Sequence, residues 1–218
     1  MDEALYDIKN LRHSYGGGPV TLDIPELSIK QGGVFGLIGP NGSGKSTLLK
    51  ILAFLELRYD GELRFMGEPA KGRETELRRN VTYLLQNPYL LKRTVYDNIA
   101  YGLKLRGETG GLDERVNDSL ARVGLAPKEF APRMWYRLSG GEVQRAALAS
   151  RLALRAKVLL LDEPTANVDE RSAELVKSAV ISAWKDFGTT VIAATHDRAW
   201  LNEISTDVIA LNYGRIVK

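Results

Sequence analysis

The stretch GPNGSGKST, Gly39 to Thr47, decides how the rest of the chain is read. It matches G-x-x-x-x-G-K-[ST] and lies between a short apolar run, GGVFGLIG, and a segment of helical period whose apolar face is Leu48, Leu49, Ile51, Leu52 and Leu55. A strand, a glycine loop and a helix are the context such a motif needs. Gly39, Gly42 and Gly44, with Pro40, Asn41 and Ser43 between them, let backbone N–H groups curl around phosphate oxygens, and the helix N-terminus adds positive potential. Lys45 then reaches the β- and γ-phosphates, Ser46 can ligate Mg²⁺, and Thr47 closes the nucleotide-binding run.

Outward from that loop, LYDIKNLRHSY and VTLDIPELSI on the N-terminal side read as strands. From about Tyr89 to Ala156 the pattern is mainly helical, with DERVNDSLARVGL and EVQRAALASRLALRA as amphipathic segments. KVLLLDEP is a continuous apolar run closed by acids and a proline, the pattern of a strand buried on both faces of a parallel sheet. ERSAELVKSAVISAWKDFG predicts a helix ending at Gly188, TTVIAATHD a further buried strand, and DVIALNYGRIV a last one. Strand, helix, strand at this spacing implies a right-handed crossover and an α/β sheet with helices on both sides. Ligands of such a sheet bind at the carboxyl ends of its strands.

Asp162 and Glu163 end VLLLDE, so both carboxylates emerge at that edge. One acid beside a phosphate-bound Mg²⁺ holds the metal, and a second orients and deprotonates a water for attack on the γ-phosphorus. An isolated Asp-Glu pair is usually a solvated cap; a phosphate loop in the same sheet gives it a chemical role. His196 ends VIAATH and is read as a γ-phosphate contact that positions water and base. Gln86 ends VTYLLQ, and two readings stay open: an amide on Mg²⁺ or the attacking water, or an ordinary polar strand terminus. Tyr15, before GGGP, is either an ordinary exposed turn aromatic or a ring that stacks on a purine, a contact that discriminates little between bases.

A second helix start raises a question. In LSGGEVQR, Leu138 to Arg145, Ser139 and Glu142 form a capping box, which explains a helix beginning there. It does not explain Gly140 and Gly141 in the first turn, where each costs roughly 0.5–1 kcal/mol relative to alanine. Bare backbone at a helix N-terminus suits close approach by a phosphate, yet Lys45 and its loop already enclose one set. The economical answer is that this start faces the nucleotide of another subunit, so that two chains sandwich two ATPs.

Bulk properties narrow the classes further. With 218 residues, 44% hydrophobic and 26% charged, the chain suits one well-buried domain and no disordered tract. The net charge of +3 comes from interspersed charges of both signs, a mixed solvated surface rather than a nucleic-acid footprint. The absence of cysteine excludes a disulfide scaffold and thiolate metal sites. Apolar runs such as VLLL are far shorter than the roughly 20 residues of a membrane-spanning helix, and MDEALYDIKN is acidic where a secretory signal is basic and then apolar.

Together the phosphate loop, Gln86, LSGGEVQR, Asp162 with Glu163, and His196 resemble the ATP-binding-cassette family, in its motif order and over essentially the whole chain. The resemblance implies an α/β fold, a P-loop NTPase with a RecA-like core, an antiparallel β-subdomain and an inserted helical subdomain. It divides a single domain, 1–218, into a core of about 1–86 and 157–218 and a helical part of about 87–156. It implies ATP and Mg²⁺ as cofactors, Tyr15 as the adenine-stacking ring, Lys45 as the phosphate lysine, and Ser46 with Gln86 as magnesium ligands. Asp162 is then similar to the residue holding Mg²⁺ through water, Glu163 to the catalytic base and His196 to the γ-phosphate switch. Ser139, Gly140, Gly141 and Glu142 resemble the contacts to the opposite ATP. Asp169 matches the acid of the loop crossing the dimer interface, although that loop reads ANVD where the family more often has Ser-Ala-Leu-Asp.

Partners implied are a second copy of the chain, transmembrane permease subunits, and indirectly an extracytoplasmic solute-binding protein, with no nucleic acid, at the cytoplasmic face of the cell membrane. The segment NPYLLKRTVYDNIAYGLKLRG is where this family receives a helix of the permease; Tyr89, Leu90 and Leu91 there are either groove residues or the start of the helical lobe's core. Phrasing within the cassette is most similar to uptake systems for tungstate or related oxyanions. The alternatives are a cassette for lipid or lipoprotein export and a soluble cassette without a transport role.

Overall fold

The computed structural model describes residues 4–166 and 168–217; Asn167, in the ANVD loop, lies outside them. β1 (Ala4–Ser14) and β2 (Val20–Lys30) form an antiparallel hairpin with Ile8 opposite Leu27 and Leu11 opposite Ile24. β3 (Val34–Ile38) leads through the phosphate loop into α1 (Lys45–Leu52). β4 (Asp60–Phe65) and β5 (Glu68–Pro69) return to the hairpin, completing a four-stranded sheet in the order β2-β1-β4-β5.

After α2 (Glu74–Leu77), β6 (Val81–Leu84) enters a second sheet. The helices α3 (Val95–Leu105), α4 (Leu112–Arg122), α5 (Pro127–Phe130) and α6 (Gly140–Leu152) follow. The chain then runs β7 (Val158–Asp162), α7 (Glu170–Phe187), β8 (Thr190–Ala194), α8 (Arg198–Ile204), β9 (Asp207–Asn212) and β10 (Arg215–Val217). The second sheet has the order β10-β9-β3-β8-β7-β6, parallel throughout except at the β9–β10 edge.

The unbroken apolar runs have the two-faced burial their composition implies. Val158 and Leu160 of β7 and Ile192 and Ala194 of β8 pack on the side of α1 and the antiparallel sheet. Their neighbours Leu159, Leu161, Val191 and Ala193 pack on the other side, with the apolar faces of α3, α4, α6 and α7. A strand with period-2 side chains needs both faces covered before every residue can be apolar. Each fully buried leucine contributes about 2 kcal/mol over an exposed one. α7 stops at Gly188, whose φ of 66° is the left-handed cap expected there.

Four details differ from the sequence expectations. α1 ends at Leu52, so Leu55 is off its apolar face and 54% exposed; Phe54 at φ 57° turns the chain and buries its own ring instead. DVIALNYGRIV is a hairpin rather than one strand, because Tyr213 and Gly214 are consecutive left-handed residues, at φ 45° and 77°, that reverse it. β4 and β5 went unread: DGELRF buries only Leu63 and Phe65, too short an alternation to stand out. Gln86 and His196 each lie two residues beyond a strand end, at Leu84 and Ala194, on the loops that follow.

Candidate active site

Parallel pairing brings the carboxyl ends of β3, β6, β7 and β8 to one edge, with Leu37 beside Ala194, Ala194 beside Asp162, and Leu161 beside Leu84. A pocket of about 590 Å³ opens there, lined by Asn41, Gly42, Gly44 to Thr47, Gln86, Asp162, Glu163, His196 and, from β2, Thr21. The residues read separately from the sequence as one phosphate-handling set are thus gathered in one place.

The phosphate loop can be built only with glycine at its ends. At Gly39, φ is 153° and a Cβ would stand 2.1 Å from the Leu211 carbonyl oxygen; at Gly44, φ is 103° and a Cβ would meet Leu22 at 2.6 Å. The β9–β10 turn clamps the loop from outside, the Gly214 N–H donating to the Ser43 carbonyl at 2.9 Å. Lys45 is buried, and its ammonium donates to the carbonyls of Gly39 at 2.8 Å and Pro40 at 3.2 Å. Two of its three donors therefore brace the loop. Tyr15 stands outside the pocket lining, half exposed, with its hydroxyl 3.3 Å from the Thr47 hydroxyl and its ring edge-on to His13.

Asp162 is buried and doubly held. Ser46 Oγ donates to its Oδ1 at 3.1 Å and the Tyr83 hydroxyl to its Oδ2 at 2.8 Å. Burial first, then the Asp162 charge and hydrogen bond, push the Tyr83 phenol far above its ordinary range, so it remains a donor. Glu163 has φ 49°, left-handed backbone that a non-glycine residue adopts at a cost of about 1 kcal/mol. Its N–H is tied to the Ala194 carbonyl at 2.8 Å. The backbone N–H of His196 donates to Glu163 Oε2 at 3.2 Å, while the exposed imidazole brings Nε2 to 3.0 Å from Oε1 without hydrogen-bond alignment. Glu163 Oε1 is buried and accepts no aligned hydrogen bond among the described residues.

Ser139, Gly140, Gly141 and Glu142 are absent from that pocket. α6 starts at Gly140 with the expected capping box: the Ser139 N–H donates to Glu142 at 2.7 Å and Ser139 Oγ accepts from the Glu142 N–H at 3.4 Å. Burial pushes the Glu142 carboxyl up, but hydrogen bonds from Ser139 and the charges of Arg133 and Arg145 outweigh it and leave it below the ordinary value. A Cβ on Gly140 would meet nothing within 4 Å, whereas one on Gly141 would lie 3.2 Å from Ser172 Oγ. One glycine of the pair thus has a packing reason inside the chain and the other has none. Asp169 caps α7, accepting from the Ser172 N–H and hydroxyl at 2.9 Å each, which lowers its pKa, and its Oδ2 would be 3.7 Å from that Gly141 Cβ. A separate depression of about 290 Å³ includes Leu138, Gly140 and Val143, and Gln86 lines both hollows.

Three connecting residues escaped sequence reading. Tyr83 sits inside an apolar strand where only its hydroxyl signalled a polar task. On α6, Gln144 donates to the Pro164 carbonyl at 3.1 Å and Arg151 donates to the Tyr83 carbonyl at 2.9 Å, so the helix that opens with Gly140 is tied to β6 and to the loop that follows β7. A polar residue on an amphipathic helix gives no sequence signal that distinguishes such a tie from solvent exposure.

The family model described as ABC transporter matches residues 22–166. The chain belongs to the ABC transporter family. It is an ATP-binding ATPase of that family, with its mixed parallel and antiparallel fold. The tungstate uptake system ATP-binding protein TupC of Peptoclostridium acidaminophilum is 35% identical over 96% of this chain and 95% of its own length. The sulfate/thiosulfate import ATP-binding protein CysA of Mesostigma viride is 39% identical over 96% of this chain, which spans 60% of that relative. Among solved structures, the ATP-binding cassette MJ0796, a dimer in a post-hydrolysis state with ADP and Pi, is similar at a TM-score of 0.86 and 27% identity, over 98% of this chain and 97% of the other.

Proposed function

We propose that this ABC ATPase powers an importer as a head-to-tail homodimer beneath transmembrane permease subunits, at the cytoplasmic face of the cell membrane. No helix among the described residues is long and apolar enough to cross a membrane, which suits a peripheral subunit. The observation that carries the chemistry is the buried Oε1 of Glu163, which accepts no aligned hydrogen bond among the described residues and stands 3.0 Å from the His196 imidazole, in the same pocket as Lys45 and Ser46.

In this reading Tyr15 stacks on the adenine, the loop from Gly39 to Thr47 wraps the phosphates, and Lys45 neutralises their outer charge. The site's oxygen donors suit magnesium. Ser46, Gln86 and Asp162 offer hard ligands, and no group of three or more His, Asp or Glu among the described residues forms a protein-only cage, as expected for an ion completed by substrate phosphates. When bound, the ion neutralises charge that develops on the phosphate oxygens. Glu163 Oε1 accepts the proton of the attacking water, and His196 orients that water and contacts the γ-phosphate. Ser139, Gly140, Gly141, Glu142 and Asp169 meet the ATP held by the partner chain. The division into a core of about 1–86 and 157–218 and a helical part of about 87–156 assigns the permease contact to the latter.

The proposed cargo is a tetrahedral oxyanion, tungstate first. Two relatives named for uptake of tungstate and of sulfate or thiosulfate support that class. The test is purification of the tagged chain from detergent-solubilised native membranes, with mass spectrometry of what accompanies it. A permease and a solute-binding protein that holds tungstate in preference to sulfate are expected. Ribosomal or other soluble partners alone would overturn the transport reading and leave the ATPase standing.

A further inference from the structure

Tyr83 stands in β6, whose four residues are all buried, and its hydroxyl is committed to Asp162 Oδ2 at 2.8 Å. The other carboxylate oxygen, Oδ1, accepts from Ser46 at 3.1 Å. Ser46 and Asp162 line the nucleotide pocket and Tyr83 does not, so the phenol draws Oδ2 away from the pocket and leaves Oδ1 on the pocket side. Two hydrogen bonds from two elements fix the plane of a carboxylate that one bond would leave free to turn. The backbone of Tyr83 is held in its turn, because Arg151 Nε donates to its carbonyl at 2.9 Å.

We propose that Tyr83 is a positioning residue for magnesium: by holding the plane of Asp162 it presents the pocket-side oxygen to the metal. The inference rests on the reading of Asp162 as the acid that holds Mg²⁺. A phenol that merely fills the core would need no hydroxyl, and a buried hydroxyl costs stability unless it is bonded. Groups that hydrogen-bond to a metal-holding side chain typically change metal affinity by about 10- to 100-fold when removed.

The test uses the full chain, a fluorescent ATP analogue and three proteins: wild type, Tyr83→Phe and Asp162→Asn. Analogue binding is measured in EDTA and then along a Mg²⁺ titration, with the melting temperature of each protein alongside. Tyr83→Phe is expected to raise the half-saturating Mg²⁺ about tenfold while binding in EDTA stays at its wild-type value and melting falls by no more than a few degrees, the effect of one lost buried hydrogen bond. A Mg²⁺ curve that does not move in Tyr83→Phe but does in Asp162→Asn overturns the inference and leaves the role of Asp162 intact. An unmoved curve in Asp162→Asn removes the role of Asp162 and the inference with it. Parallel losses of melting temperature and EDTA binding in Tyr83→Phe would reduce the phenol to packing and also overturn the proposal. Tyr83→Met, which fills the space without a hydroxyl, carries the same test should the phenylalanine variant not fold.

Discussion

Glu163 is the residue at which the chemistry can be separated from the fold. Its backbone is held at φ 49° by the tie to Ala194, and Oε2 by the His196 N–H, so none of its anchors depends on the charge of Oε1. Glu163→Gln keeps the shape and the acceptor while removing the base. Hydrolysis is expected to fall by about 10²- to 10⁴-fold with MgATP affinity within a few-fold of wild type, and the variant should accumulate as a dimer with MgATP. Phosphate-release kinetics and light scattering after size exclusion check both halves. A variant that hydrolyses normally removes Glu163 from the role of base, and one that stays monomeric at saturating MgATP counts against the sandwich.

At the scale of elements, the two helix starts that meet at Gly141 carry a pH dependence. Hydrogen bonds from Ser172 hold the Asp169 carboxyl below its ordinary value, and those from Ser139 hold Glu142 down against its burial. A carboxyl whose pKa is lower folded than unfolded contributes stability in full above its unfolded value, and that contribution is lost as pH falls through the folded one. The caps of α6 and α7 should therefore weaken below about pH 4.5. Asparagine caps nearly as well as aspartate, and glutamine closes a capping box as glutamate does, without titrating. The double variant Asp169→Asn, Glu142→Gln is expected to keep close to wild-type urea stability at pH 7 and to lose less of it between pH 6 and pH 3.5; an identical acid limb would discard the assignment. The α6 start was legible because a capping box is local chemistry, as was the phosphate loop; Asp169 was legible only as the loop acid of the family resemblance, not as the cap of α7. β4 and the β9–β10 reversal were not, since a two-residue alternation and an Asn-Tyr-Gly turn acquire meaning only from the strands they join. Tyr83, Gln144 and Arg151 were illegible for the opposite reason: their partners are carbonyls and a carboxylate remote in sequence, fixed only by the assembled sheet.

At the scale of the whole molecule, the open question is why one chain holds a nucleotide pocket and, apart from it, a bare helix start with an unhindered Gly140. In the proposed head-to-tail dimer the second feature has a use, because two chains so related would complete each other's sites. That arrangement permits complementation between two inactive proteins. Lys45→Ala removes the phosphate lysine and keeps the α6 start; Ser139→Arg obstructs the α6 start and keeps the phosphate loop. Each alone should be nearly inactive as an ATPase, with nucleotide binding retained only by Ser139→Arg. In an equal mixture at exchange equilibrium about half the dimers are mixed, and each of these has one complete site, so about a quarter of the wild-type rate should return. Differently tagged chains allow the mixed dimer to be isolated and assayed directly. Mixed dimers that form and remain inactive would leave two possibilities, that each site needs only its own chain or that one site fires only when both do. A Lys45→Ala, Ser139→Arg double variant paired with wild-type chain separates them: it leaves no complete composite site but one intact phosphate loop, so activity there points to sites that work within a single chain.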